Sequence, residues 1–247
     1  MRLPAAGLLV AAFVVSAPTA QPQPFSTAAP AVVADLQGAR FGGDPSQLAW
    51  SPDSTTVCIQ TLEGDRPPLK TRYYLIRLAE RDFHGVDVAP DWAPKYWEFK
   101  SARTPPGHPE LAIQVETKNR SGNIPTESLR AKAAGRGLEN AVAAQNEAQG
   151  SVVRTLTLKG EAIGQYVDQP LVPGMTFGWS PEALHAVAYA KPDGRLALMD
   201  LQGGKTDVDA AKGIILPAWS PDGSAIVYLQ KQGRRHYALM QVAVTHP

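Results

Sequence analysis

One stretch decides the fold: Pro217-Ala218-Trp219-Ser220-Pro221-Asp222-Gly223-Ser224-Ala225-Ile226-Val227-Tyr228. Its pattern is typical of a strand that ends at Trp219, a tight turn, and a second strand that begins at Ala225. In such a turn proline presets φ, the short polar side chains bond back to the backbone, and glycine accepts the left-handed conformation. The stretch therefore predicts a β-hairpin.

The hairpin pattern has two further copies, Leu48-Ala49-Trp50-Ser51-Pro52-Asp53-Ser54 and Phe177-Gly178-Trp179-Ser180-Pro181-Glu182-Ala183. Trp179 and Trp219 are forty residues apart, which is the period of a four-stranded propeller blade. We interpret the signature as structural, because its tryptophan suits packing between blades and its Ser-Pro-Asp segment shapes the turn. The signature residues are Trp50, Ser51, Pro52, Asp53, Trp179, Ser180, Pro181, Trp219, Ser220, Pro221, Asp222 and Gly223.

The three copies differ at the end of the turn. The position of Gly223 is taken by Ser54 in the first copy and by Ala183 in the third repeat. If the position is left-handed, a β-carbon there costs about 1 kcal/mol. In the third repeat the apolar residues of the second strand come one position later, at Val187 and Tyr189. Its turn is therefore expected to be one residue longer.

Around these copies the apolar pattern predicts further strands. The first repeat has strands ending at Trp50 and at 56–61, 73–78 and 83–88; the third has them at 176–179, 186–190, 195–200 and 206–208; the fourth at 214–219, 225–230 and 236–242. Because the fourth repeat has only three strands, we expect residues 31–36 to pair with residues 236–242. That pairing would close a ring and remove an unpaired sheet edge.

The second repeat is the least regular. We expect its first strand at residues 96–99, its second at 111–115, and a closing hairpin at 152–158 and 163–167. An insertion at 118–150 has a composition that is part helical and part disordered; alternatively it contains a degenerate fifth blade. The predicted fold is all-β: a small β-propeller of about four four-stranded blades, or five, with a partly helical or disordered insertion.

The beginning of the chain has the features of a secretory signal peptide. Met1-Arg2 supplies a positive charge, residues 5–15 are an uncharged apolar run, and residues 16–20 are small enough for a cleavage site. We therefore expect a signal peptide at 1–20, a flexible leader at 21–30, a propeller domain at 31–247, and a periplasmic or secreted protein. Cys58 is the only cysteine, so no internal disulfide forms, and its apolar neighbours favour a small buried side chain.

The repeat resembles the WD40-like repeat of the TolB type, whose blades carry W-S-P-D-G between the first two strands. The match is close at 219–223, good at 50–53 and partial at 179–181, and residues 198–204 are similar to the family's third strand and following turn. About half of the mature chain is covered, while residues 90–170 carry no family motif. The resemblance implies an exported β-propeller, and in TolB itself the propeller is a docking platform for envelope proteins.

The sequence contains few signals of chemistry. Gly178-Trp179-Ser180-Pro181-Glu182 begins like a nucleophile elbow but lacks the second glycine, and the five histidines lack zinc-site spacing. Asp53, Asp222 and Glu182 lack the ligand spacing of a calcium loop, so we expect no metal and no cofactor. The net charge of +1 excludes a general attraction to nucleic acid, and no segment after residue 20 is apolar enough to span a membrane.

Two functions remain open. The sequence favours a non-catalytic propeller that binds a protein or peptide of the cell envelope. The alternative is a glycan- or peptide-cleaving hydrolase that works from the propeller funnel, where a glycosidase needs two carboxylates about 5–10 Å apart. The one candidate binding surface is the aromatic segment at 91–99, with Trp92, Tyr96 and Trp97, although core packing in the second blade also explains it.

Overall fold

A computed structural model describes residues 25–64, 68–105, 107–108, 111–120, 151–167 and 174–245. The expected signal peptide at 1–20 lies outside the described residues, as does the insertion from residue 121 to residue 150. Within the described part, strands dominate and form four antiparallel sheets.

Two short strands come first in the chain, β1 (Ser26–Thr27) and β2 (Ala31–Leu36). Sheet 1 follows with β3 (Asp44–Trp50), β4 (Thr56–Glu63), β5 (Lys70–Arg77) and β6 (Asp82–Val86), and then helix α1 (Trp92–Ser101). Sheet 2 contains β7 (Gln114–Arg120), β8 (Ser151–Leu158) and β9 (Glu161–Val167). Sheet 3 contains β10 (Phe177–Trp179), β11 (Ala186–Ala190), β12 (Leu196–Asp200) and β13 (Lys205–Asp209). Sheet 4 contains β14 (Ile214–Trp219), β15 (Ala225–Gly233) and β16 (His236–Thr245), with β1 and β2 paired to β16.

The strands predicted around the three tryptophan copies are confirmed. Each tryptophan ends the first strand of its sheet, and the second strand returns directly beside it. Trp50 lies opposite Val57 and Trp219 opposite Ile226, whereas Trp179 lies opposite Val187. The third turn is therefore one residue longer than the other two, as the sequence predicted.

Two of the turns share one hydrogen-bond pattern. Ser51 Oγ donates to Asp53 Oδ1 at 2.5 Å and accepts from the Thr56 amide at 2.9 Å. Ser220 makes the same pair of bonds, to Asp222 Oδ1 at 2.5 Å and from the Ala225 amide at 2.9 Å. Because the serine and aspartate satisfy the turn's own backbone, these side chains are structural. The hydrogen bond from Ser220 is also the main reason that the pKa of Asp222 is lowered.

The left-handed turn position is confirmed in the first and fourth repeats. Ser54 has φ 58° and Gly223 has φ 73°. In the longer third turn the left-handed residue is His185, with φ 48°, while Ala183 lies inside a short 3-10 turn. At residue 223 there is a second constraint, because a β-carbon there would overlap the side chain of Leu184.

The N-terminal strand pairs where the sequence predicted. β2 runs antiparallel to β16, with Leu36 opposite Tyr237 and Ala31 opposite Gln241, and it forms the outer strand of sheet 4. The structure differs from the expected flexible leader at residues 25–28. Phe25 is only 5% exposed, and β1 pairs with the end of β16. The N-terminal segment is thus an integral part of the last sheet.

The predicted first strand of the second repeat, residues 96–99, is wrong, because these residues belong to α1. The buried residues of the segment, Ala93 and Lys100, are spaced seven apart, with Tyr96 between them, which is helical rather than alternating spacing. The second strand was predicted at residues 111–115 and is instead β7. The predicted insertion therefore does not begin at Lys118, because this residue belongs to β7 and pairs with β8. The closing hairpin of β8 and β9 is confirmed.

Apolar cores lie between neighbouring sheets. One core joins sheets 1 and 4, a second joins sheets 3 and 4, and a third joins sheets 2 and 3. At the inner ends of the sheets, β3 packs against β14, β14 against β10, and α1 against both β3 and β10. The first strands of three sheets and one helix therefore surround a common centre.

A matched pair of substitutions tests the turn position. Gly223→Ser is expected to destabilise the fold by more than about 1 kcal/mol, because it adds left-handed strain and an overlap with Leu184. Ser54→Gly relieves the same left-handed strain and is therefore expected to stabilise the fold. The gain should stay below about 1 kcal/mol, because glycine also raises the conformational entropy of the unfolded chain. Urea unfolding midpoints measure both, and equal shifts of the same sign would contradict the assignment.

Removal of the N-terminal strands tests their contribution. Deleting residues 21–38 is expected to cost several kcal/mol, because it removes the buried side chains Phe25, Val33 and Leu36 and uncovers the edge of β16. The shortened chain should melt at a lower temperature and associate. A chain that starts at Phe25 is the control, since it keeps both strands. A deletion variant that melts like this control and stays monomeric would refute the role of β2.

Candidate functional site

The three signature tryptophans are buried where the first strands of sheets 1, 3 and 4 pack against neighbouring elements. Each is about 1% exposed. Trp50 Nε1 donates to the Ala218 carbonyl of β14 at 3.0 Å, and Trp179 Nε1 donates to the Ala102 carbonyl at 2.6 Å. Ala102 directly follows α1. The indole of Trp179 is therefore bonded to a backbone carbonyl at the end of the helix, just as the indole of Trp50 is bonded to a backbone carbonyl of β14. These side chains tie neighbouring units together and are not exposed to a ligand.

The predicted aromatic surface is brought together only in part. Tyr96 points inward, its hydroxyl donates to the Trp219 carbonyl, and burial raises its pKa. Trp92 and Trp97 pack, half-buried, over an apolar cluster on sheet 1 that includes Cys58, and Tyr96 borders the same cluster. The rings of Trp97 and Tyr73 are stacked, with 6.4 Å between centroids and 15° between planes. Cys58 is buried, as predicted, and burial raises the pKa of its thiol to about 12.

The centre of the structure holds a buried lysine. Lys100, on the inward face of α1, is 0% exposed and its Nζ lies 3.3 Å from the Pro217 carbonyl, to which it donates. Burial lowers the pKa of its ammonium group to about 7. Lys100 and Tyr96 thus place two side-chain donors of α1 on the backbone of β14, and these side chains occupy the space between the helix and that strand.

An open groove lies at the other side of sheet 1, where β6 ends. β5 is paired with β4 from Lys70 to Arg77, but β6 covers only the part from Tyr73 onward. The backbone edge of residues 70–72 is therefore uncovered among the described residues. After Val86 the chain leaves the sheet, passes through Pro90 and enters α1 at Trp92. The cavity beside this edge has a volume of about 340 Å³, within the range of ligand sites.

The groove is lined by three basic side chains and one acidic one, and two of the basic side chains are held in ion pairs. It is lined by Arg40, Lys70, Thr71, Arg72, Tyr73, Tyr74, Gly85, Val86 and Asp87. Arg72 Nη2 lies 2.8 Å from Glu63 Oε2, and Arg40 Nη2 lies 3.0 Å from Asp82 Oδ1; the arginine side chains are 42% and 64% exposed, respectively. Lys70 and Arg72 lie two residues apart in a strand, so they share one face of sheet 1, and Tyr73 lies on the other. The arrangement suits an extended segment with acidic side chains on one face and apolar ones on the other.

The groove residues were missed by the sequence analysis. The alternation Lys70-Thr71-Arg72-Tyr73 was a usable signal of a strand with a basic face. The early end of β6 depends on the path into α1, and that helix was predicted as a strand. The open edge therefore had no signal of its own.

Comparison of the chain with protein-family models gives no match, and comparison with curated protein sequences gives none either. Among the described residues, no helix combines the length and the apolar character needed to cross a bilayer. The same part of the chain contains no group of three or more His, Cys, Asp or Glu side chains arranged to hold a metal ion.

The buried lysine gives a pH-dependent prediction. An ordinary lysine has a pKa of about 10.4, so between about pH 10 and pH 7 the unfolded chain takes up a proton that the folded chain does not. This linkage lowers the stability of the folded protein as pH falls through that range, by an amount on the order of 3–5 kcal/mol. Lys100→Met removes the effect but leaves the Pro217 carbonyl without its donor, at a cost of about 1–3 kcal/mol.

We therefore expect Lys100→Met to be more stable than the parent chain at pH 7 and less stable above pH 10. Chemical unfolding of both proteins at several pH values measures the difference, in which contributions from other titrating groups cancel. A difference that stays constant between pH 7 and pH 10 would show that folding does not lower the pKa of Lys100.

Proposed function

We propose that this protein is an exported, non-catalytic β-propeller that binds an extended, acidic peptide segment of a cell-envelope protein along the open edge of β5. The observation that carries the proposal is the uncovered backbone of residues 70–72 beside a groove with Arg40, Lys70 and Arg72. A strand edge supplies main-chain hydrogen bonds, and the flanking side chains select the sequence that binds there.

The propeller arrangement is supported by the packing of the inner elements. Each sheet corresponds to one blade, and β3, β14, β10 and α1 contact one another in cyclic order. In this arrangement α1 takes the position of the inner strand of the second blade, which leaves sheet 2 with three strands. Export is supported by the charged, apolar and small-residue segments of residues 1–20, and the TolB-like repeat is in keeping with a place in the envelope.

A binding role is favoured over the hydrolase because of what occupies the centre. A funnel enzyme needs an accessible cavity between the inner strands. Here the aromatic and aliphatic side chains of α1 lie against β3 and β10, and Lys100 is fully buried. An accessible groove lies at the outer part of sheet 1, where Asp87 is the one acidic residue in the lining.

The test uses a fluorescein-labelled peptide of alternating Glu and Val residues and measures its binding to the mature chain by fluorescence polarisation. Lys70→Glu is expected to weaken binding at least tenfold, because it reverses the charge beside the open edge. Lys212→Glu, which makes the same charge change on an exposed residue before β14, is the matched control and should bind like the parent.

Two further peptides separate the parts of the proposal. A peptide with Lys in place of Glu should not bind, and a peptide methylated on alternate backbone nitrogens should lose binding because strand addition needs its N–H groups. Equal binding of the methylated and unmethylated peptides would refute strand addition. Equal binding by the Lys70→Glu and Lys212→Glu variants would refute the location.

A further inference from the structure

Two histidines meet on the surface between the segment that follows α1 and the long turn of sheet 3. His108 Nε2 and His185 Nδ1 are 3.1 Å apart, and the two rings are nearly perpendicular, with 4.8 Å between centroids. They are 77 residues apart in sequence, so the fold alone brings them together. Neither belongs to the groove on sheet 1.

The backbone holds both histidines in place. The His108 amide donates to the Pro105 carbonyl at 3.1 Å, and the His108 carbonyl accepts from the Leu111 amide at 3.0 Å. His185 occupies the left-handed position of its turn, and its carbonyl accepts from the Leu201 amide at 3.1 Å. Non-glycine residues in this conformation are uncommon and occur often at functional sites.

A carboxylate lies beside the pair. Glu182 Oε1 is 3.0 Å from the point where a β-carbon on residue 107 would stand, so it rests against the residue next to His108. Glu182, His108 and His185 line one shallow depression, together with Ser180 and Pro181. The extra residue of the third turn is what places His185, rather than a glycine or serine, at this point.

We propose that His108 and His185 chelate a divalent late transition metal ion, with Glu182 or water completing the coordination. Two imidazole nitrogens on one tetrahedral zinc, each at about 2.0–2.1 Å from the metal, are about 3.4 Å from each other. The observed separation of 3.1 Å is a few tenths of an ångström shorter, and the proton that one of these nitrogens donates in the hydrogen bond passes, through solvent, to the other nitrogen of the same ring when the metal binds. No third ligand already converges with the pair among the described residues, so the two imidazoles determine the affinity.

The ligand type selects the metal. Two neutral imidazoles suit copper(II), nickel(II) and zinc(II), and affinity at such a site follows the order in which copper(II) binds most tightly. Hard cations such as magnesium and calcium prefer oxygen-only sites and are not expected to bind here. The segment after α1 is already bonded to sheet 3 through Trp179 Nε1 and the Ala102 carbonyl. A metal bound by His108 and His185 would add a second link between the same two parts and raise the melting temperature.

The test titrates the mature chain with Cu²⁺ and separately with Zn²⁺, by calorimetry, and records the electron paramagnetic resonance spectrum of the copper form. We expect one ion per chain, a spectrum with two imidazole nitrogens, and a higher melting temperature with metal. His108→Gln and His185→Asn should each lose at least tenfold in affinity. Asn is chosen at residue 185 because it tolerates the left-handed conformation.

His236→Gln is the matched control, because His236 is also near the surface but lies 2.7 Å from Asp35, on sheet 4. It should bind metal like the parent chain. If His185→Asn fails to fold, His108→Gln carries the test. Unchanged affinity and an unchanged copper spectrum in His108→Gln, or the absence of one-to-one binding by the parent chain, would overturn the site. Unchanged affinity in Glu182→Gln would assign the third position to water.

Discussion

The structure depends on satisfying the carbonyls of one inner strand. At the inner end of sheet 4, three consecutive carbonyls of β14 accept bonds from side chains of other units: Pro217 from Lys100, Ala218 from Trp50, and Trp219 from Tyr96. A buried carbonyl without a donor costs about 1–3 kcal/mol, so three together would be a large fraction of the stability of a domain. The three donors come from sheet 1 and from α1, and they hold both against sheet 4.

This requirement explains why a lysine lies at the centre. A buried ammonium group is costly, and its lowered pKa is the measure of that cost. However, the nearby backbone has a kink at Leu216, which has φ 57° and interrupts the pairing of β14 with β15. A long side chain with an N–H donor reaches the Pro217 carbonyl beside this kink from across the centre. The helix thus supplies at one point a bond that a regular inner strand is not placed to give.

The groove on sheet 1 lies away from the contacts that α1 makes with β3 and β10. Where sheets converge on a funnel, the inner ends of the strands present a concave site to a ligand. α1 contacts β3 and β10, whereas the uncovered residues 70–72 beside the groove lie on β5, two strands away from β3 in sheet 1. After Val86 the chain leaves sheet 1 to enter α1, and residues 70–72 of β5 therefore have no partner strand on that side among the described residues.

The parts of the fold that the sequence predicted are those set by local chemistry. The turns at Ser51 and Ser220 follow from residues that bond to their own backbone, and the pairing of β2 with β16 follows from a missing fourth strand. The strand predicted at 96–99 is wrong because aromatic residues favour strands in general, whereas the inward spacing of Ala93, Tyr96 and Lys100 is that of a helix. The groove and the histidine pair depend on contacts between segments far apart in the chain, for which the repeat pattern carries no information.

Each candidate site lies where one repeat departs from the others. Sheet 1 has a fourth strand that ends early, and the uncovered edge of β5 results. The third turn has one more residue than the first and fourth, and that residue count brings His185 to the left-handed position beside His108. A regular repeat is constrained at every position by packing against its neighbours, so new chemistry is least costly where the pattern is already broken. The two proposed sites therefore rest on irregular features of single copies, the early end of β6 and the longer third turn, and not on the shared repeat.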